Sequence, residues 1–277
     1  MKTFSILIST VILLSPVFVQ AQGVTIAPSS IIQGDPVMVT ADKGAKKIIF
    51  DNSVISSFPY DGKVRAFIPI GLTKRPGNYL LRVEWSNGHT VERTIVVGER
   101  KKMEVPLGIP EKLGGNTTVS QNNLVSTLAK ENATLENIRT HAQVLWSKPF
   151  QFPLKEVVVT DPYGYSRKTG DYSIAHKGTD FRAKEGTEVL AMNNGVVQVA
   201  RTYTIYGKTI IIDHGLGVQT FYMHLSKINV KAGDMVKAGQ VIGLSGKTGY
   251  AEEPHLHLTL RIQGQSVDAM RFMEFFK

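Results

Sequence analysis

The stretch His255-Leu-His257-Leu-Thr259-Leu-Arg-Ile262 decides how the second half of the chain folds. An aliphatic residue stands at every even position, and residues two apart share one face of a strand, whereas a helix turns them about 200° apart. His255 and His257 are therefore expected to face one cleft, while Leu256 and Leu258 face a core. Thr259 shares the face of His257 and is placed to orient that ring by hydrogen bonding.

Outward from this strand, the segments Glu188-Val-Leu-Ala, Gly195-Val-Val-Gln-Val-Ala, Thr209-Ile-Ile-Ile-Asp and Gln219-Thr-Phe-Tyr-Met-His-Leu lie between glycines. They predict an antiparallel β domain over residues 150–277. Short runs rich in Val, Ile, Phe and Tyr also recur between turn signals over residues 22–98, the pattern of an immunoglobulin-like β-sandwich. Asn87-Gly88 suits a tight hairpin turn, which makes the adjacent His89 a turn residue. Residues 99–149 read as a linker carrying a helix over about 120–146, with Ser120 as its cap. Leu124, Leu128, Leu135, Ile138, Ala142 and Leu145 form an apolar stripe along it. Glu131 interrupts that stripe as a coiled-coil seam, so the helix is expected to dock on its own domains and, with the sandwich, to cover the cleft until displaced. His141 lies beside the stripe as a surface or boundary residue. The fold class is mainly β.

The chain has 277 residues, enough for two modest cores. Residues 1–21, with Lys2, an apolar run and a small residue before the cut, read as a signal peptide, so the protein is expected to be exported, periplasmic or secreted. After cleavage no stable membrane span remains. The sequence contains no cysteine, so export brings no disulfides and stability must come from packing or metal. With 32 Lys+Arg against 23 Asp+Glu, the net charge of +9 suits a polyanionic partner. Outside the cytoplasm that means wall polymer or a membrane surface before nucleic acid.

His176-Lys-Gly-Thr-Asp180 repeats the even spacing in extended backbone, and Gly178 permits close approach. Two nitrogens and one oxygen can thus converge, a donor set that zinc accepts in tetrahedral geometry with the fourth position open to water. Other signals fall away. No His-Glu-x-x-His occurs, Gly246-Lys-Thr lacks the glycine a phosphate loop needs where Val241 stands, and Glu252 and Glu253 read as solvated loop acids. His214, after an apolar strand and before glycines, reads as a turn residue. Tyr222 alternates onto the face of His224 and is placed either in the groove or in the core.

Residues 161–273 resemble the M23 (lysostaphin/LytM-type) zinc peptidases through Tyr163-Gly164 with Arg167, His176-Lys-Gly-Thr-Asp180-Phe, Ile212-Asp-His-Gly-Leu-Gly217, Tyr222-Met-His-Leu225, Gly246-Lys-Thr-Gly249, Pro254-His-Leu-His257 and Val267-Asp268. The resemblance implies one Zn2+ held by His176, Asp180 and His257, with His224 and His255 as catalytic histidines. It further implies a metalloendopeptidase acting on cross-links or stem peptides of peptidoglycan, associated with the cell wall. Arg167, Tyr222 and Thr259 are the candidate substrate contacts. Thr259, where the family often carries an acid, and the insert Tyr250-Ala-Glu-Glu253 depart from the pattern. The competing reading is a non-catalytic wall-binding or amidase-activating module on the same fold, which normally loses ligands.

Overall fold

The computed structural model describes residues 23–276; the expected signal peptide, residues 1–21, lies outside the described residues. Residues 24–98 form two facing sheets. One orders the strands Val24–Ala27, Pro36–Ala41, Lys63–Pro69 and Ser57–Tyr60; the other orders Ile31–Ile32, Thr90–Gly98, Gly77–Trp85, Ala45–Phe50 and Ser53–Ile55. Alternate residues of both sheets, including Val37, Val39, Ile48, Ile68, Leu81, Val83 and Ile95, meet in a core of their own. Pairing is antiparallel except where Ile31–Ile32 runs parallel to Thr90–Gly98. Gly88 takes φ +83°, which closes the turn between Trp85 and His89.

The second core belongs to the sheet ordered Val159–Asp161, Thr179–Arg182, His255–Ile262, Val218–Leu225, Gly207–Asp213, Gly195–Tyr203 and Met235–Val236, with Gln265–Val267 also paired to His255–Ile262. The leucines of the opening stretch are buried with Phe181, Tyr222, Ile210 and Ile212 on one face. Phe221, Met223 and Ile211 point to the other. Two clasps join the sandwich to this body. Phe67 packs on Phe272 and Phe275. Arg100 donates to Asp35 (2.9 Å), Asp268 (3.3 Å) and the Gln33 carbonyl (2.6 Å), all part-buried, so both sides lose paired charges if the clasp opens.

The helix, α1, spans Thr118–Glu136 and differs at both ends from its sequence expectation of 120–146. Its cap is Thr117, not Ser120: Thr117 is extended and its hydroxyl accepts the Ser120 N–H at 3.2 Å. Beyond Asn137 the chain becomes an irregular strap, because buried Asp213 recruits the Thr140 hydroxyl (2.7 Å) and the His141 N–H (2.8 Å) and ring (2.6 Å). An amide given to Asp213 is unavailable to a helix. Ala142 and Leu145 therefore leave the stripe, and Trp146 enters an aromatic cluster with Phe58 and Phe150.

α1 docks through Leu124, Leu135 and, between them, Glu131. Leu124 meets Ile109 and Ile205, while Leu135 meets Tyr203, Ile211, Phe221 and Met223. The buried Glu131 carboxylate accepts the N–H groups of Thr204, Ile205 and Tyr206. Tyr206 donates its hydroxyl to Asn132 (2.6 Å), and Arg261 donates to the Leu135 carbonyl (2.6 Å). Detaching α1 exchanges the Glu131 hydrogen bonds for bonds to water at about 1 kcal/mol each and re-exposes two leucines at about 2 kcal/mol each. That cost is on the scale of a domain's net stability.

His214 is fully buried: its Nδ1 donates to the Asn194 carbonyl at 2.7 Å, and Nε2 lies 2.8 Å from the Thr220 hydroxyl. Burial pushes its pKa down to about 4, against the combined pull of the Asn194 carbonyl and Asp213.

Glu131→Ala is expected to lower stability by about 3 kcal/mol in urea unfolding, since its amide partners lose their acceptor without gaining water. A second expectation concerns pH. The folded protein keeps His214 neutral to about pH 4, whereas a free imidazole protonates near 6.5, so the unfolded chain binds the extra proton within that window. Stability contributed above the window is lost as pH falls through it. The urea midpoint should therefore drop between about pH 6.5 and 4, and His214→Gln should flatten that drop.

Candidate metal centre

Antiparallel pairing sets Asp180 directly opposite His257. His176 follows the strand Tyr172–Ala175, and its backbone is held by Tyr165 and Gly164 through bonds of 2.7 and 2.9 Å. A side chain at Gly178 would meet the His257 ring at 2.3 Å, so glycine is required for the approach. Three donor atoms converge as a result. His176 Nε2 lies 3.2 Å from Asp180 Oδ1 and 3.1 Å from His257 Nδ1, and His257 Nδ1 lies 2.7 Å from Asp180 Oδ1. Donors on a tetrahedral ion with bonds of about 2.0–2.1 Å stand about 3.3 Å apart, so this spacing fits one metal ion. Among the described residues it is the one cluster of three such groups close enough to share an ion.

The outer atoms complete the fit. His176 Nδ1 is 3.1 Å from the Pro162 carbonyl, which fixes the proton on that nitrogen and leaves the Nε2 lone pair inward. His257 Nε2 is 3.0 Å from the Thr259 hydroxyl, which leaves Nδ1 inward. Asp180 Oδ2 is bound by Arg167, whose guanidinium also holds Asp161 at 2.8 Å. Burial works to raise the pKa of Asp180, but His257 and His176 outweigh it and hold the carboxyl well below its ordinary range. Burial pushes His257 down to about 4, against the pull of Asp180. A carboxylate and neutral imidazoles are the forms in which these groups bind metal.

Two further imidazoles flank the donors. His224 stands 4.9 Å from His255 and 5.9 Å from His257, ring centre to ring centre. His224 Nδ1 donates to the Thr248 carbonyl at 2.9 Å, leaving Nε2 toward the cleft. Burial, then His255 and His257, push its pKa down to about 3. His255 Nδ1 donates to the Glu253 carbonyl at 2.8 Å. Its Nε2 is buried without a hydrogen-bond partner, 3.8 Å from Asp180 Oδ1. An orphaned ring nitrogen beside the donor atoms marks a place prepared for something the protein itself does not supply.

Of the three candidate substrate contacts, Tyr222 is misplaced by simple alternation. Its ring is fully buried in the core, and its hydroxyl accepts from the Met192 N–H at 3.0 Å and from the Thr220 hydroxyl at 2.9 Å. The reason is a bulge. Lys208 pairs with Leu225 but Ile210 with Tyr222, so Met223 and His224 together face Thr209, and His224 takes φ +61°. The extra residue flips His224 out of the Tyr222 face and into the cleft. Arg167 and Thr259 line the cleft, but each is engaged with a donor residue: Arg167 steadies Asp180, and Thr259 steadies His257. Sequence reasoning also missed the carbonyls of Pro162, Thr248 and Glu253, which orient three of the four rings; main-chain atoms leave no mark in residue identity. Asp161 was legible only as an acid in an extended segment.

The cleft has a volume of about 300 Å³ and is lined by His176, His224, His257, Thr259 and Arg261 together with Leu107, Leu124 and Leu128. Two imidazoles and one carboxylate aimed at a single point, with two further imidazoles beside them, form a centre that could hold a metal ion. The sequence profile of peptidase family M23 matches residues 174–269, and the chain belongs to this family of metallopeptidases through its second domain. It is 47% identical over 96 residues to the peptidoglycan DD-endopeptidase ShyA of Vibrio cholerae, covering 35% of this chain and 22% of that protein. To the DD-carboxypeptidase/endopeptidase Mpg of Neisseria meningitidis it is 38% identical over 117 residues, 42% of this chain and 27% of that one. The chain thus spans about a quarter of these relatives' length. A solved M23 peptidase structure from Pseudomonas aeruginosa is 25% identical, with TM-score 0.64 over 87% of this chain and 94% of that one, so the likeness extends beyond the matched segment.

Asp180→Asn and His257→Ala should each abolish metal retention measured by elemental analysis. Thr259→Val should weaken affinity by about 10- to 100-fold in a chelator competition, because it frees the His257 ring without removing a donor.

Proposed function

We propose that this protein is a zinc-dependent endopeptidase that hydrolyses peptide cross-links or stem peptides of bacterial peptidoglycan. One observation carries the reading: three groups able to bind a metal converge beside two imidazoles whose Nδ1 atoms are taken up by main-chain carbonyls. His176, Asp180 and His257 would hold the ion. Zinc, with these ligands and no thiolate, supplies a Lewis acid that lowers the pKa of bound water and polarises a carbonyl.

The remaining chemistry is assigned to the chain's own residues. Because His224 and His255 both donate Nδ1–H to main-chain carbonyls, each presents an unprotonated Nε2 that accepts a proton. Once protonated, the same atom becomes a donor to the oxyanion or to the leaving amine. Arg167 keeps one Asp180 oxygen occupied so that the other stays aimed inward. The basic balance of the sequence favours an anionic wall polymer as partner. Among the described residues no helix is long and apolar enough to cross a membrane, and residues 1–21 are assigned to export.

Zinc-loaded protein should release muropeptides from purified sacculi, read by mass spectrometry, and His257→Ala should release none. His224→Ala and His255→Ala should each keep zinc and lose about 10²- to 10⁴-fold in kcat. A protein that binds sacculi yet neither holds zinc nor releases fragments would be a non-catalytic wall-binding module instead.

A further inference from the structure

Asp180 and His257 sit on neighbouring strands of the long sheet, but His176 does not. It follows the hairpin of Ser166–Thr169 and Tyr172–Ala175, which belongs to a separate three-stranded sheet. The third strand of that sheet is Glu104–Pro106, from the connector that leaves the sandwich. It runs parallel to Ser166–Thr169, with the Ser166 N–H donating to the Met103 carbonyl and the Leu107 N–H to the Lys168 carbonyl, both at 2.8 Å. The same hairpin carries Arg167, which grips Asp180. One donor and the guanidinium that steadies another are thus presented by a hairpin that the connector completes.

The turn that leads into this hairpin is held from two sides. On the inner side His176 meets it three times: Nδ1 lies 3.1 Å from the Pro162 carbonyl, its carbonyl accepts the Gly164 N–H at 2.9 Å, and its N–H donates to the Tyr165 carbonyl at 2.7 Å. On the outer side stands Arg100. A Cβ at Gly164 would lie 2.6 Å from Arg100 Cδ, and Arg100 Nη1 donates to the Tyr163 carbonyl at 3.4 Å. Against Tyr163 packs Gly34 of the sandwich, where a Cβ would meet the ring at 2.5 Å. Arg100 is itself fixed by the Gln33 carbonyl and by buried Asp35, both of the sandwich. An imidazole stays aimed at an ion only when the partner of its other nitrogen is held still. Here the Pro162 carbonyl is held by neighbours that the sandwich fixes.

We propose that Arg100 is a positioning residue for His176 as a metal ligand, and that the seating of the sandwich is coupled through it to the metal centre. This rests on the metal-holding part of the reading above and not on peptide hydrolysis. By linkage, a bound ion strengthens the seating by the same factor by which the seating strengthens binding of the ion.

Chelator competition on the full-length protein reads the coupling. Arg100→Ala should weaken zinc affinity about 10- to 100-fold, as loss of a group that orients a metal-bound imidazole does. Phe67→Ala trims the aromatic clasp with Phe272 and Phe275 and leaves Arg100 in place. It should lower stability yet keep zinc affinity within about twofold. Arg100→Lys keeps a cation beside Asp35 but loses the fork to the Gln33 and Tyr163 carbonyls, so it should weaken affinity at least about threefold, and it decides the matter if Arg100→Ala fails to fold. The visible absorption of cobalt-loaded protein, which reports coordination geometry, should change in Arg100→Ala and not in Phe67→Ala. Undiminished affinity in the folded Arg100 variants, or an equal loss in Phe67→Ala, overturns the proposal while the metal reading stands. Wild-type protein that takes up neither ion overturns the metal reading and this inference with it.

Discussion

The antiparallel register that sets Asp180 against His257 is the constraint on which the rest of the site depends. It brings together residues 77 apart in sequence and places a carboxylate and an imidazole on one face with no loop between them. His176 needs only to reach in from the strand edge, and Gly178 leaves room for the facing His257 ring. A donor set built on paired strands is held by the whole ladder of main-chain bonds, so small fluctuations of one residue do not open it. The leucines between the histidines bury the opposite face, which means that a slip by one residue would exchange core and donors together.

Around this pair the protein orients its rings mostly with carbonyl oxygens. Pro162, Thr248 and Glu253 each take an Nδ1–H, and each comes from a loop rather than a strand. The insert 250–253, which looked like a peripheral departure, therefore has two attachments. It carries the carbonyl that sets His255, and its Tyr250 packs with Leu107 and Leu124. The insert and the connector that leads into α1 are thus one packing unit.

What was legible in the sequence followed from periodicity. The even spacing of His255 and His257 with Leu256 between them placed both rings on one face, and residues 24–98 showed a β pattern that closes around its own core. The expected extended segment from His176 to Asp180 is instead a corner between the strands Tyr172–Ala175 and Thr179–Arg182, and only the family resemblance joined those two residues to His257. Periodicity failed where tertiary partners override it. α1 stops at Glu136 because Asp213 captures the amide and hydroxyl of the next turn. Glu131 looked like a flaw in an apolar stripe, yet its carboxylate is the anchor of that stripe, since the amides it binds belong to a loop about 70 residues away. Tyr222 was assigned to the face of His224 on a rule that assumes one residue per step.

That last point bears on how such a strand can change over time. Val218–Leu225 carries two frames of inside and outside, one before the bulge and one after it, joined at Met223 and His224. Replacing a residue within either frame disturbs one side chain. Deleting one at the junction would merge the frames and send the imidazole position into the core, so this segment is far more tolerant of changed letters than of changed length.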